Sequence, residues 1–118
     1  MVLTPDIRSA VAIPQIQREF EEREQQAGRR LQRAYVLNHY WPEARLHVEL
    51  RDRFAGQLGS HFLGSVSWSE LVGEAVAHGQ TIFDYAPGSQ AAEEFSSLGN
   101  AVDEMLRQPE AMSAHAGR

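Results

Sequence analysis

Two absences define the chemistry open to this 118-residue sequence. It contains no cysteine, which removes disulfides, thiolate metal sites, iron–sulfur clusters and cysteine nucleophiles. All 11 of its basic side chains are arginine and none is lysine, so it has neither a Schiff-base lysine nor the phosphate-gripping lysine of a P-loop. His39, His47, His61, His78 and His115 show no i, i+4 pairing and no His-Glu-x-x-His, the spacing that places two imidazoles on one helix face for zinc, so no metal site is expected. Gly64-Ser65 and Gly88-Ser89 lack the Gly-x-Ser-x-Gly frame of a nucleophile elbow, so serine hydrolase chemistry is not expected either. Amides, hydroxyls and two indoles remain. Trp41 and Trp68 fall at expected strand-to-helix turns, where each can pack at the rim of a core or stack on a planar ligand.

The balance of charge narrows the partners. With 16 acidic residues against 11 basic, the formal charge is −5, which opposes binding to a polyanionic backbone or an anionic lipid surface unless arginines cluster locally. Arg29, Arg30 and Arg33 form the one such cluster; it reads either as a polar inter-element loop or as a phosphate contact, and DNA is not the expected partner. An apolar content of 42% with 23% charged residues fits one folded domain with a single core. No apolar run approaches the ~20 residues of a membrane span. The opening Met-Val-Leu-Thr-Pro-Asp has no basic n-region or apolar h-region, so a cytoplasmic location is expected.

The elements that must position these residues follow from periodicity. Val2-Leu3-Thr4 reads as the end of a strand stopped by Pro5, with Asp6 able to accept from the amides of the next turn. Ile13, Ile16 and Phe20 recur at helical spacing beside Glu19, Glu21, Glu22, Arg23 and Glu24, predicting an amphipathic helix entered near Pro14 and ended near Gly28. Residues 33–38 form a short apolar run, a buried strand. Pro42 suits the first turn of a helix whose stripe is Leu46, Leu50, Phe54 and Leu58, closed by Gly59. Residues 62–66 predict another strand. Ser67 and Glu70 have capping-box spacing before a helix with Leu71, Val72, Ala75 and Val76 inward and Gly79 at its end. Residues 81–83 read as a brief extended piece. Ser89 caps a last helix with Ala92, Phe95, Leu98, Val102 and Met105 inward, Glu93, Glu94, Asp103 and Glu104 outward, and Pro109 closing it. Its acidic outer face argues against membrane anchoring. The predicted organisation is a domain over residues 1–107 and a flexible tail over 108–118. Strands alternating with helices give an α/β class, a partial doubly wound, mostly parallel sheet with covering helices and an edge that needs a neighbour.

The ordered series Val36-Leu37-Asn38, then Val66-Ser67-Trp68-Ser69-Glu70 leading into a helix with Glu74-Ala75, then residues 79–95 with Asp84-Tyr85-Ala86-Pro87-Gly88-Ser89-Gln90-Ala91-Ala92, resembles the C-terminal half of ParA/MinD-type ATPases of the P-loop NTPase fold. The resemblance spans residues 2 to 107. Thr4-Pro5-Asp6 and the block from Asp84 to Ala92 are most similar to the cellulose-biosynthesis (BcsQ/YhjQ) branch, and plasmid and chromosome partition proteins share most of the same block.

The resemblance implies ATP as cofactor, held between two halves, with this chain supplying the base side. Asn38 would lie at the carboxyl end of a strand with its amide on the adenine edge. The Ser67–Ser69 loop and the loop around Ala86 and Pro87 would approach the base. Many relatives carry Pro-Arg-Asp or Pro-Arg-Asn where this chain has Ser67-Trp68-Ser69, so hydroxyls would replace an acid or amide at Ser69. A phosphate cradle needs glycine-rich amides at a helix N-terminus and a lysine, and Mg²⁺ needs a P-loop hydroxyl; the sequence has none of these. The N-terminal catalytic half is therefore expected to lie outside this chain, and the chain alone is predicted to show no magnesium-dependent ATP turnover above a buffer blank. In a complete protein, ATP-dependent dimerisation would localise or activate a partner, here the cellulose synthase complex. The alternatives are a partition protein, or a non-catalytic dimerisation module whose sheet edge is covered by a second copy.

Overall fold

In the computed structural model, which describes residues 1–107, three short strands form one parallel sheet in the order β1 (Val2–Leu3), β2 (Tyr35–Tyr40), β3 (Phe62–Ser67). The connections are helical: α1 (Ile7–Ala27) leads from β1 to β2, and α2 (Arg45–Leu58), with a 3₁₀ turn over Gly59–His61, leads from β2 to β3. After β3 come α3 (Glu70–Ala77), α4 (Ile82–Tyr85) and α5 (Gln90–Arg107). The α/β class and the parallel sheet are as the alternation predicts. Pro109 and the tail over 108–118 lie outside the described residues.

Parallel strands need crossover connections, and these crossovers build the core. Leu3, Tyr35 and Leu37 point to one sheet face, where Ile13 of α1 and Leu50, Phe54 and Leu58 of α2 bury against them. Helices α1 and α2 therefore share that face. A second, smaller core joins Ile82, Ala91 and Ala92 with Leu71, Val72, Ala86 and Phe95, tying α3 and α4 to α5.

Several boundaries differ from the sequence expectation, each for a local reason. Helix α1 begins at Ile7, not near Pro14, because Asp6 caps it: Asp6 Oδ1 accepts from the Ser9 amide at 2.9 Å and Oδ2 from the Thr4 hydroxyl at 2.7 Å. The exposed Pro14 sits inside the helix. The end at Gly28 is as expected, with φ +70° and its amide donated to the carbonyls of Glu24 and Gln25, a left-handed geometry that glycine adopts without a Cβ penalty. Helix α2 starts at Arg45, so Pro42 lies in the preceding turn, which closes through the Ala44 amide on the Trp41 carbonyl at 3.0 Å. Leu46, expected inward, is 49% exposed, and Val76 of α3 is 73% exposed. Residues 82–85 are a helical turn rather than extended, because the Thr81 hydroxyl takes the Asp84 amide at 3.2 Å. Strand β2 runs two residues further than the apolar run, to Tyr40.

Hydrogen bonds from Ser9 and Thr4 hold the Asp6 carboxyl below the usual carboxylate range. A pKa lowered on folding stabilises the native state above the ordinary carboxylate value and loses that contribution as pH falls below it. Asp6→Ala is expected to cost about 1 kcal/mol at neutral pH, with Asp6→Asn, a competent cap, costing less. The difference between Asp6→Ala and wild type should shrink in urea melts at acid pH.

Tyr35 is 1% exposed and its hydroxyl has no hydrogen-bond partner among the described residues. Burial pushes its phenol up, opposed by the nearby Arg33 guanidinium. Because an unsatisfied buried hydroxyl is a net penalty, Tyr35→Phe is expected to be neutral or to stabilise by up to about 1 kcal/mol. A midpoint shift to lower urea would show that the hydroxyl has a partner worth keeping.

Candidate ligand cleft at the carboxyl ends of β2 and β3

Two irregularities in strand pairing shape the sheet, the second of them at the carboxyl ends, where ligands sit in open α/β folds. Tyr35 pairs with Phe62 but Val36 with Gly64, and Leu37 pairs with Ser65 but Tyr40 with Ser67. One extra residue, Leu63, thus enters β3 near its start, next to Gly64 with φ +140°, a conformation open to glycine. A compensating extra residue enters β2 near its end, at Asn38-His39. His39 adopts φ +58°, the one non-glycine left-handed residue among those described, at a cost of about 1 kcal/mol. A bulge re-aims the side chains around it. Here it turns Asn38 and His39 into a cleft of about 380 Å³ shared with Ser67, Trp68, Ser69 and Glu70.

The expected site residues divide. Asn38, Ser67 and Ser69 line this one cleft; Ala86 belongs to the small core under α3 and α5, Pro87 is exposed beyond it, and neither lines the cleft. The half-buried Asn38 amide has no side-chain hydrogen bond among the described residues, which leaves its donor and acceptor faces for a ligand. Ser69, rather than Ser67, is the N-cap of α3, its hydroxyl oxygen accepting from the Leu71 amide at 3.2 Å. Ser67 is the last residue of β3 and is committed elsewhere.

That commitment is to Glu94. The Ser67 amide donates to Glu94 Oε1 at 2.8 Å and the Ser67 hydroxyl to Oε2 at 2.9 Å; the Gln90 side-chain amide adds a third bond at 3.1 Å. Glu94 was expected on the solvated face of α5 and is instead half-buried. Its carboxylate locks α5 onto the end of β3 and leaves Ser67 able to offer a ligand only its lone pairs. A 27-residue sequence separation gives local periodicity no means of finding this bond.

Trp68 lines the cleft and Trp41 packs against it from outside. Trp41 and Trp68 meet edge to face, with ring centroids 6.0 Å apart and an interplanar angle of 79°, and each stays about half exposed. Their backbones are pinned: the Trp68 amide donates to the Tyr40 carbonyl at 3.0 Å and the Trp41 amide to His47 Nδ1 at 3.0 Å, which puts the His47 ring proton on Nε2. The cleft can therefore take a flat heteroaromatic ring, stacked on Trp68 and hydrogen-bonded by Asn38. Its volume lies at the low end for small-molecule sites.

Other surfaces show different chemistry. Arg29, Arg30 and Arg33 share a hollow with Glu21 and Glu24 ahead of β2, at the opposite end from the cleft. Glu24 there accepts the Leu31 amide at 2.9 Å, and the Arg33 guanidinium lies 5.5 Å from the Phe20 ring centre. The arginines are interleaved with acids, not a bare basic patch. Among the described residues no group of three or more His, Asp or Glu is placed to hold a metal, and no helix is long and apolar enough to cross a membrane. No protein-family model matches the chain, and no solved structure matches it.

Proposed function

We propose that this chain is the base-recognising half of a nucleotide-dependent ATPase of the ParA/MinD type, with the cellulose-biosynthesis branch as its setting. The observation that carries the reading is the convergence of Asn38, Ser67 and Ser69 on one cleft at the carboxyl ends of adjacent parallel strands, beside a bulge that holds His39 left-handed. Asn38 reads the adenine edge, Trp68 stacks on the ring, and Glu94 holds the β3 end that presents both Trp68 and Ser69. The phosphates and Mg²⁺ are held by residues outside this sequence, since it has no lysine and no glycine-rich phosphate loop. Docking of the two halves around ATP is what positions or activates the partner complex.

The test is intrinsic fluorescence of Trp68 in a Trp41→Phe background during titration with ATP and ADP. Saturable quenching that Asn38→Ala weakens at least about tenfold supports base recognition. No response at millimolar nucleotide contradicts it.

A second reading, a dimerisation module without nucleotide, is favoured by one feature. Val2 on the β1 edge is 65% exposed, and Ile7 and Val11 at the start of α1 are 61% and 72% exposed. An open strand edge beside exposed apolar residues is a pairing surface. A stable dimer by light scattering, lost on Val11→Glu and insensitive to nucleotide, supports this module instead.

A further inference from the structure

Charge around the cleft restricts which part of a nucleotide it can hold, an inference that rests on the nucleotide reading above. No arginine lines the cleft, whereas Glu70 does and the Glu94 carboxylate lies directly behind Ser67. Two of the arginines of α2 are held elsewhere. Arg51 donates through Nε to the Ser65 hydroxyl at 3.0 Å and lies against the Tyr40 and Phe62 rings, and Arg45 pairs with Glu49 at 3.2 Å. Arg33 precedes β2, so the length of that strand, about 20 Å, separates it from the cleft, beyond a screening length of roughly 8–10 Å.

One feature could still favour an anion, the N-terminus of α3. Its positive end is already satisfied, by the Ser69 hydroxyl on the Leu71 amide and by the Glu70 carboxylate in the first turn. A triphosphate at the cleft mouth therefore meets the Glu70 carboxylate, with the His39 imidazole and no arginine among the lining residues. The neutral part of the ligand meets the Asn38 amide, the Ser69 hydroxyl and the Trp68 ring. A cleft of about 380 Å³ also suits a base with its sugar better than a full nucleotide.

We infer that this cleft is by itself a nucleoside site: it binds adenosine more tightly than ATP, and each added phosphate weakens binding. The affinity order is adenosine, AMP, ATP, the reverse of any site that grips phosphate. In an assembled nucleotide site, the phosphate-binding partner would then have to supply all of the affinity for the triphosphate tail as well as overcome the repulsion from Glu70. Loading of ATP by this chain alone would be disfavoured, which ties nucleotide capture to assembly of the two halves.

The test is equilibrium dialysis of the full 118-residue chain with radiolabelled adenosine, competed by AMP and by ATP without Mg²⁺. At low salt adenosine is expected to bind about threefold or more tighter than ATP, and at about 0.5 M salt the gap is expected to close because the repulsion is screened. Glu70→Gln is expected to strengthen ATP by about two- to threefold and leave adenosine within about twofold. ATP binding tighter than adenosine at low salt would overturn the inference while leaving a nucleotide cleft in place. Binding of neither ligand would remove the cleft reading itself, and the inference with it.

Discussion

Phe54→Ala is expected to lower the unfolding free energy by about 3–5 kcal/mol. The side chain is fully buried, at 0% exposure, in the cluster where α1 and α2 meet Leu3, Tyr35 and Leu37 of the sheet. Its removal loses the transfer free energy of an aromatic ring and leaves a cavity that helices fixed by strand pairing cannot close. A domain of this size holds roughly 6–18 kcal/mol in all, so the loss is a large share. Leu46 gives the internal control: it stands on the same helical repeat but is 49% exposed, so Leu46→Ala should stay within about 0.5 kcal/mol. Urea melts with unchanged slope and a midpoint displaced only for Phe54→Ala would bear this out; similar midpoints for both variants would contradict the placement of the core.

Glu94→Ala is the second. It strands two groups at once, the Ser67 amide and hydroxyl, which now bond to the two carboxylate oxygens at 2.8 and 2.9 Å. Hydrogen bonds to a charged acceptor in a half-buried setting give an expected loss of about 2 kcal/mol. The local consequence is larger than the global one, because the end of β3 and the entry to α3 carry Trp68 and Ser69. Glu94→Gln separates charge from geometry: its amide oxygen can accept from Ser67 N–H while its NH₂ donates to the hydroxyl oxygen, so most of the stability should return. Amide hydrogen exchange at Ser67 and Trp68 reads the difference, with fast exchange in Glu94→Ala and near-native protection in Glu94→Gln. Equal exchange in both variants and wild type would mean that the contact with α5 does not hold the strand end.

The fold was legible where one signal dominated. Apolar spacing found the buried stripe of α2, Leu50, Phe54 and Leu58, and the inward face of α5, and alternation of strand and helix implied a parallel sheet. It failed where two local signals competed. Pro14 looks like a helix start, yet Asp6 offers a better cap two turns earlier and a proline on the exposed face is tolerated there. The spacing to Glu70 puts the cap of α3 at Ser67; the long-range bond to Glu94 holds Ser67 in β3, and Ser69 caps the helix. Thr81 turned an extended expectation into a helical turn in the same way.

The candidate site was half legible. Asn38 at a strand end and the Ser67–Ser69 turn could be picked from residue type and position, and they share a cleft. Ala86 and Pro87 rested on the resemblance alone, and they do not line it. His39 and Glu94 had no sequence signal strong enough to single them out. A histidine in the left-handed region requires the bulge to be known, and the bulge depends on pairing with β3; the role of Glu94 depends on how α5 returns to the sheet. Both are properties of tertiary pairing, which composition and periodicity do not encode.

The most direct measurement is an amide-resolved NMR titration of the full chain with adenosine. Recognition of a base at the ends of β2 and β3 requires saturable shifts at Asn38, His39, Ser67, Trp68 and Ser69, including the Trp68 indole N–H, with the Arg29–Arg33 loop unmoved. An absence of shifts at those positions up to millimolar ligand, or shifts centred on the arginine loop, would contradict it.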